Sequence, residues 1–234
     1  MYETATEIFR KNWALYQKVI QGDYMCHADM MDWTRKGISD WPLSGGIRCL
    51  DMGCGDAFQL SSILPDFHVA SYEGWDLSPA AVEWAADRLA RTGIPFRFAV
   101  GDMEELLRVA DNPFNLIHSS YAVHHLQDDA KKRLIQSAFD LLLPGGRLIL
   151  VDIFRTKDQS REAYIDAYLS RMYETWSLLS DPEFEMVRSH VESFDFPARL
   201  EDMFGWLRQA GFILLFHHSP DGSHHVLVAE KPVA

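Results

Sequence analysis

Leu50-Asp51-Met52-Gly53-Cys54-Gly55-Asp56-Ala57 is the stretch on which the reading of this chain turns. It follows an apolar run that opens at Ile47. Glycines at such a place permit a tight turn and the close approach of a ligand, and a helix beginning just beyond offers unpaired amides and the positive end of its dipole. Turns of this kind often hold phosphate. This one lacks the third glycine of a dinucleotide fingerprint, because Phe58 stands there, and it lacks the Lys-Ser/Thr ending of a P-loop. Asp51 and Asp56 would also repel a phosphate that faced them. A glycine turn that binds nothing is the alternative for this segment taken alone.

From Ile47 onward, short apolar runs alternate with longer amphipathic segments, the signature of an α/β domain with a largely parallel sheet. The pattern predicts strands near 47–52, 69–76, 96–101, 115–120 and 147–153, and helices over 57–64, 79–91, 103–109 and 128–142. Leu143-Pro144-Gly145-Gly146 reads as the turn before the fifth strand. A last helix over 199–210 stops at Gly211. Strands near 212–217 and 224–230 then flank Ser219-Pro220-Asp221-Gly222, a combination suited to antiparallel partners.

Two stretches stand apart from that alternation. In the first, Phe9, Trp13, Tyr16 and Ile20 recur at three- and four-residue intervals, which predicts a helix over 5–21 ending at Gly22-Asp23. A second short helical region carries Tyr24 to Trp33 and is punctuated by Gly37, Pro42, Gly45 and Gly46, so residues 1–46 read as a helical cap. The other is 160–193, where Tyr164, Tyr168, Met172 and Trp176 share a helical face and Ser180-Asp181-Pro182-Glu183 has the form of a reciprocal helix cap. It reads as two inserted helices over the ligand edge of the sheet, with plain core helices as the alternative. The 234 residues, 47% of them hydrophobic, suffice for one substantial core, so 1–234 is expected to be a single domain.

Charge and cysteines narrow the function classes. With 22 Lys plus Arg against 34 Asp plus Glu, the net charge of −12 argues against nonspecific attraction to nucleic acid or anionic membranes. Cys26, Cys49 and Cys54 are too irregularly spaced for a disulfide framework or a thiolate metal site. No signal-peptide core or membrane-length apolar run is apparent, so the expectation is a cytoplasmic protein.

Asp76 lies 25 residues beyond Asp51, at the end of the second strand, where its carboxylate can receive both hydrogen bonds of a ribose diol. Asp102 follows the third strand and can accept from an adenine amino group, with Met103 covering an apolar face. Either acid alone is more often a cap or a solvated turn residue. Successive strand ends of an open α/β sheet converge on one crevice, however, which ties the two together.

On these residues the sequence resembles the class I S-adenosylmethionine-dependent methyltransferases over roughly 47–153. The resemblance implies a Rossmann-like seven-stranded sheet with an antiparallel last strand. It places Asp51, Gly53, Cys54 and Gly55 in the cofactor loop, Asp76 and Leu77 at the ribose, and Asp102 and Met103 at the adenine. Ser119 through Leu126 match the exit of the fourth strand. Two departures stand out: Ala57 where glycine is common, and Asn115 where an acid is common. S-adenosylmethionine is the implied cofactor and a small polar molecule the implied partner.

A sulfonium donor carries its own activated methyl, so the protein must align an acceptor, exclude water and keep a lone pair available, with no metal required. His124 and His125 sit near the mouth of the crevice and titrate near neutrality, which makes them candidates for general base; packing is the alternative. Tyr16, Tyr24, His27 and Tyr121 are acceptor-pocket candidates. Arg155, Arg161, Tyr164 and Tyr168 can form another wall or meet a carboxylate, and His224 or His225 can orient an acceptor from the sheet edge. The pairs His217/His218 and His224/His225 invite a metal site. Adjacent strand residues face opposite ways, though, so none is expected.

A narrower resemblance, to the methyltransferases of thiolhistidine formation, rests on Asn12-Trp13 through Tyr24-Met25-Cys26-His27 and on Asp152-Ile153-Phe154-Arg155 through Ser160-Arg161-Glu162-Ala163-Tyr164. It implies an imidazole nitrogen as the acceptor atom. A noncatalytic nucleoside-binding or protein-interaction module is the reading from a different class.

Overall fold

The computed structural model describes residues 13–39, 41, 45–110 and 113–233. Seven strands form one sheet in the order β3-β2-β1-β4-β5-β7-β6: β1 (Ile47–Met52), β2 (Val69–Asp76), β3 (Phe96–Val100), β4 (Phe114–Ser120), β5 (Leu142–Ile153), β6 (Ile213–His218) and β7 (His224–Glu230). The first five run parallel, while β7 lies antiparallel to both β5 and β6. The order reverses between β1 and β4, the switch point where open α/β sheets leave a crevice beyond their carboxyl ends.

The two-residue period of the strands sorts the core into two layers. Leu50, Met52, Ile117, Leu148, Leu150 and Leu227 face α6 (Asp128–Leu141) and α9 (Leu200–Ala210). Cys49, Leu116, Ile149, Val151, Val226 and Val228 face the other way, toward α2 (His27–Ser39), α3 (Phe58–Ile63) and α4 (Pro79–Leu89). The short α5 (Met103–Val109) follows β3.

Gly37 does not end a helix as expected but lies within α2. A Cβ there would stand 2.9 Å from Val228 Cγ2 and 3.1 Å from Ile149 Cδ1, so its missing side chain is what seats α2 against the sheet. Leu143-Pro144-Gly145-Gly146 likewise falls inside β5. Phe114 pairs with Leu142 and Leu116 with Arg147, so the turn is absorbed as an irregularity in the ladder, with Gly145 at φ 74°. The helix expected over 57–64 stops at Ile63 and passes into a 3-10 turn, Leu64–Asp66, containing Pro65. The one expected over 79–91 ends at Leu89.

The N-terminal helix is described as α1 (Trp13–Gln21), and Phe9 lies outside the described residues. The 160–193 stretch forms α7 (Arg161–Thr175) and α8 (Asp181–Phe194). Ser160 caps α7 by accepting from the Ala163 amide. At α8 the reciprocal cap forms as expected: the Ser180 side chain accepts from the Glu183 amide and the Glu183 carboxylate accepts from the Ser180 amide, with the Ser180 hydroxyl also reaching that carboxylate. These helices form a third apolar cluster, in which Tyr164, Tyr168, Met172, Trp176 and Phe184 pack with Val19 of α1. Tyr24 stacks on Trp176 at 5.0 Å, and Lys18 Nζ reaches Glu183 Oε1 at 2.6 Å. No helix among the described residues is long and apolar enough to cross a membrane.

Candidate functional site

A cavity of about 210 Å³ opens at the carboxyl ends of β1, β2 and β4 and is covered by residues of α1 and α2. Its floor is the β1–α3 loop. Gly53, at φ +67°, lies so close to the chain leaving β4 that a Cβ would meet Ala122 Cβ at 2.4 Å. Gly55, at φ +53°, has no atom of the described residues within 4 Å of a would-be Cβ and leaves its side of the cavity open among them. Ala57 holds a left-handed conformation, φ 56°, at a cost of roughly 1–2 kcal/mol. The position where the family commonly has glycine therefore demands a glycine-like backbone here too.

The acids at the strand ends are already engaged. Asp76 Oδ2 accepts from the Gly55 amide and Oδ1 from the Ser78 amide, each at 2.8 Å. Burial pushes the Asp76 carboxyl up from its ordinary value, and these two amide bonds act against that shift. Asp102 caps α5 through Oδ1, which accepts from the Glu104 and Glu105 amides. Its Oδ2 has no partner among the described residues. Asp56, expected to repel phosphate, is paired with the Arg88 guanidinium.

Deeper in the cleft, Asp51 is buried and accepts from two sides. Tyr72 Oη donates to its Oδ2 at 2.7 Å, and His118 Nδ1 lies 2.7 Å from its Oδ1. Burial and the Asp51 charge push the Tyr72 hydroxyl well up, so it remains a donor. The opposite ring nitrogen, His118 Nε2, is buried with no hydrogen-bond partner. Gln59 Oε1, Ser120 Oγ, His27 Nδ1 and His190 Nδ1 are likewise unpartnered on residues lining the cavity. Buried polar atoms without partners are rare and costly, and these belong to residues that line one cavity. His118, Ser120, Gln59 and His190 were not singled out from the sequence. The signal for the first two was the strand period, which puts residues 118 and 120 of β4 on the face of Asp51 and turns Ser119 away.

Of the residues expected at the cofactor, Asp51, Gly53, Cys54, Gly55, Asp76, Leu77, Asp102 and Met103 line the cavity. Ser119 does not: it is buried and donates to the Met52 carbonyl at 2.8 Å. Tyr16, His27 and Tyr121 of the acceptor candidates line it, as does His125. Burial lowers His27 to about 4, so its ring is neutral at neutral pH.

The other candidates lie elsewhere. His124 is buried between Asp152, 2.5 Å from Nδ1, and Asp195, 3.5 Å from Nε2. Burial would lower its pKa, but the two carboxylates outweigh burial and raise it, which suits a charged strut rather than a base. Tyr24 accepts from the Leu178 amide. Arg155 donates to the carbonyls of Pro197 and Gln159, and Arg161 to those of Asp195 and Glu192. Tyr164 and Tyr168 are packed in the third cluster, with Tyr168 Oη 2.8 Å from His224 Nε2. His224 Nδ1 meets Asp221 at 2.9 Å and His218 Nε2 meets Asp29 at 2.7 Å, while the other two edge histidines, His217 and His225, pair with each other at 2.7 Å.

Electrostatically the cavity is one-sided. Asp51, Asp56, Asp76 and Asp102 line it, and no lysine or arginine does among the described residues. Such a lining favours a cationic or neutral occupant over an anionic one.

Residues 49–146 match a family described as a methyltransferase domain. The chain is 28% identical over 163 residues to phosphoethanolamine N-methyltransferase 1 of Triticum aestivum, covering 68% of this chain and 31% of that protein. It is 29% identical over 175 residues to the ubiquinone biosynthesis O-methyltransferase of Xylella fastidiosa, covering 74% and 63%. This chain thus spans about a third to under two thirds of the length of those relatives. Among solved structures, the N-methyltransferase NodS of Bradyrhizobium japonicum, in complex with S-adenosyl-L-homocysteine, superposes with a TM-score of 0.59 at 16% identity, covering 90% of this chain and 88% of that one. That likeness concerns the fold.

Proposed function

We propose, from the premise that this chain belongs to the class I S-adenosylmethionine-dependent methyltransferase family, that it transfers the donor's methyl group to a nucleophilic atom of a small polar acceptor. The observation that carries this reading is the convergence of Asp76, Asp102 and the open Gly55 on one cavity whose far wall holds Tyr16, His27 and Tyr121. In this reading Asp76 receives the ribose diol, Asp102 Oδ2 the adenine amino group, and Met103 and the exposed Leu77 cover the ring. Asp51, Gly53 and Cys54 complete the floor.

The donor, when bound, supplies an activated methyl and a neutral thioether leaving group. The chain's own residues have three tasks: to fix the acceptor opposite the carbon–sulfur bond, to exclude water and to keep a lone pair free. The cover formed by α1 and α2 serves the second. The aspartate-rich lining suits a cationic donor and favours a neutral or cationic acceptor. A thiolhistidine imidazole belongs in the acceptor panel. The two arginines expected to meet its carboxylate are committed to backbone carbonyls, so the panel extends to polar imidazoles, amines and thiols without a carboxylate. The net charge of −12 speaks against nucleic acid as acceptor, and three free thiols suit the cytoplasm.

Incubating the full chain with isotopically labelled donor and that panel, with mass-spectrometric detection of methylated product, tests the reading. Saturable donor binding with no product across the panel would instead identify a noncatalytic nucleoside-binding module.

A further inference from the structure

The sheet places a hydrogen-bonded relay beneath the cavity. Tyr72 of β2, Asp51 of β1 and His118 of β4 lie on adjacent strands, and Asp51 and His118 are register partners. Both oxygens of Asp51 are occupied, one by the Tyr72 hydroxyl and one by His118 Nδ1, each at 2.7 Å. A carboxylate facing Nδ1 holds the ring proton on that nitrogen, which leaves the lone pair of neutral histidine on Nε2. Nε2 is buried, without a partner, on a residue that lines the cavity. Leaving such an atom unsatisfied is costly, and the cost is removed when a ligand N–H, O–H or S–H group fills the space beside it.

We propose that His118, oriented by Asp51 and Tyr72, is the residue that accepts the proton of the methyl acceptor. This rests on the methyltransferase reading above. As the acceptor's lone pair forms its bond to the methyl carbon, the carbon–sulfur bond breaks and its electron pair stays on sulfur. The acceptor's proton passes to Nε2. The positive charge lost at the sulfonium reappears on an imidazolium whose other nitrogen already faces Asp51, so no uncompensated charge is left in the closed site. His124, between two carboxylates, has no nitrogen free for this role, whereas His118 has one directed by its partner. The titratable groups facing the same space are Tyr16 and His27 from the N-terminal helices, Cys54 and Asp56 from the β1–α3 loop, Tyr121 and His125 from the exit of β4, His190 from α8, and Asp76 and Asp102 at the strand ends.

The test uses the full chain and the variants His118→Gln and Tyr72→Phe. Long-range proton–nitrogen correlation spectra of the labelled protein saturated with S-adenosylhomocysteine should include a histidine protonated at Nδ1 and not at Nε2, whose signals are absent from His118→Gln. Finding that histidine protonated at Nε2 overturns the proposal. With a panel acceptor that the wild type methylates, His118→Gln should lower kcat by about 100-fold or more and leave S-adenosylhomocysteine affinity within about threefold. Tyr72→Phe removes one of the two bonds that hold Asp51 and should lower kcat, by less than His118→Gln does, with S-adenosylhomocysteine affinity unchanged within about threefold. Unchanged kcat in His118→Gln, or a loss confined to donor affinity, overturns the role of His118 alone. A wild type that binds donor and methylates nothing in the panel overturns the parent reading as well.

Discussion

The Gly55 amide donates to Asp76 Oδ2 across 2.8 Å, binding the loop after β1 to the end of β2. The acid proposed to receive the ribose is therefore also the clamp that shapes the glycine loop, and its two functions are separable by substitution. Asp76→Ala removes both and should weaken S-adenosylhomocysteine binding by about 1–3 kcal/mol, the cost of leaving buried donors unpaired. Asp76→Asn retains one acceptor oxygen and should lose less. Titration calorimetry measures both, with thermal unfolding as the check on folding, and unchanged affinity in Asp76→Ala would remove the ribose contact.

Gly53 and Gly55 share a positive φ yet should respond differently to alanine. At Gly53 the added carbon meets Ala122 at 2.4 Å, so strain and overpacking should together cost about 2–5 kcal/mol. At Gly55 no atom of the described residues is met. Gly55→Ala should cost only the roughly 1–2 kcal/mol of its backbone conformation while cutting donor affinity at least tenfold by filling ligand space. Denaturant unfolding and binding measured on the two variants separate the outcomes; equal stability losses would contradict the geometry.

His124 should prove structural. Its Nδ1 and backbone amide both meet the Asp152 carboxylate, which ties the β4 exit to β5. His124→Ala leaves two buried carboxylates without their cation and should cost about 3–5 kcal/mol of stability, with donor affinity in the remaining folded protein within a few-fold of wild type. A large loss of affinity at unchanged melting temperature would reverse this assignment.

Acid should destabilise the fold from just below neutrality. Burial lowers His27, His190 and His225 each to about 4 from an ordinary 6.5, and lowers His217 in the same direction. The unfolded chain takes up these protons near 6.5 and the folded chain only at lower pH, near 4 for His27, His190 and His225. Stability from these groups is complete above about pH 6.5 and drains away as the pH falls toward 4. His124 acts oppositely, because its raised value makes its contribution fullest below 6.5, but it is one group against four. Calorimetric melting temperatures should fall between pH 6.5 and 4.5, and a flat or rising trend would contradict the balance.

Lys18 and Glu183 join the N-terminal cover to the inserted helices. The Lys18 ammonium and the Ser180 bonds hold the Glu183 carboxyl down to about 2. Since the pair is partly exposed, a double-mutant cycle on Lys18→Met and Glu183→Gln should give a coupling of only about 0.2–1 kcal/mol. Hydrogen exchange in residues 13–21 should nonetheless quicken in either variant, and unchanged exchange would show that the apolar contacts of Val19 hold the cover without the ion pair.

Much of the fold was legible in the sequence, because local rules decide it. Alternating apolar runs and amphipathic segments marked every strand of the sheet, and Ser180 with Glu183 marked the start of α8. The misreadings have a common cause. Gly37 was taken as a stop because glycine disfavours helix, yet the approach of Val228 and Ile149 makes it the residue that α2 needs. Leu143-Pro144-Gly145-Gly146 has turn composition, but its pairing partners in β4 and beyond β7 draw it into the sheet.

For the site, the sequence by itself determined the strand-end aspartates and the glycine loop, since these occupy fixed offsets along the chain from strands that can be recognised locally. Which histidine stands free was decided only by tertiary structure. His118, His124 and His125 lie within eight residues of one another, and although the strand period puts His118 on the face of Asp51, nothing in that segment says which ring nitrogen is left without a partner. Their partners, Asp51 for the first and Asp152 and Asp195 for the second, come from β1, β5 and the end of α8. A side chain's proton chemistry is set by the groups that distant segments bring to it, and those groups meet only when the sheet closes.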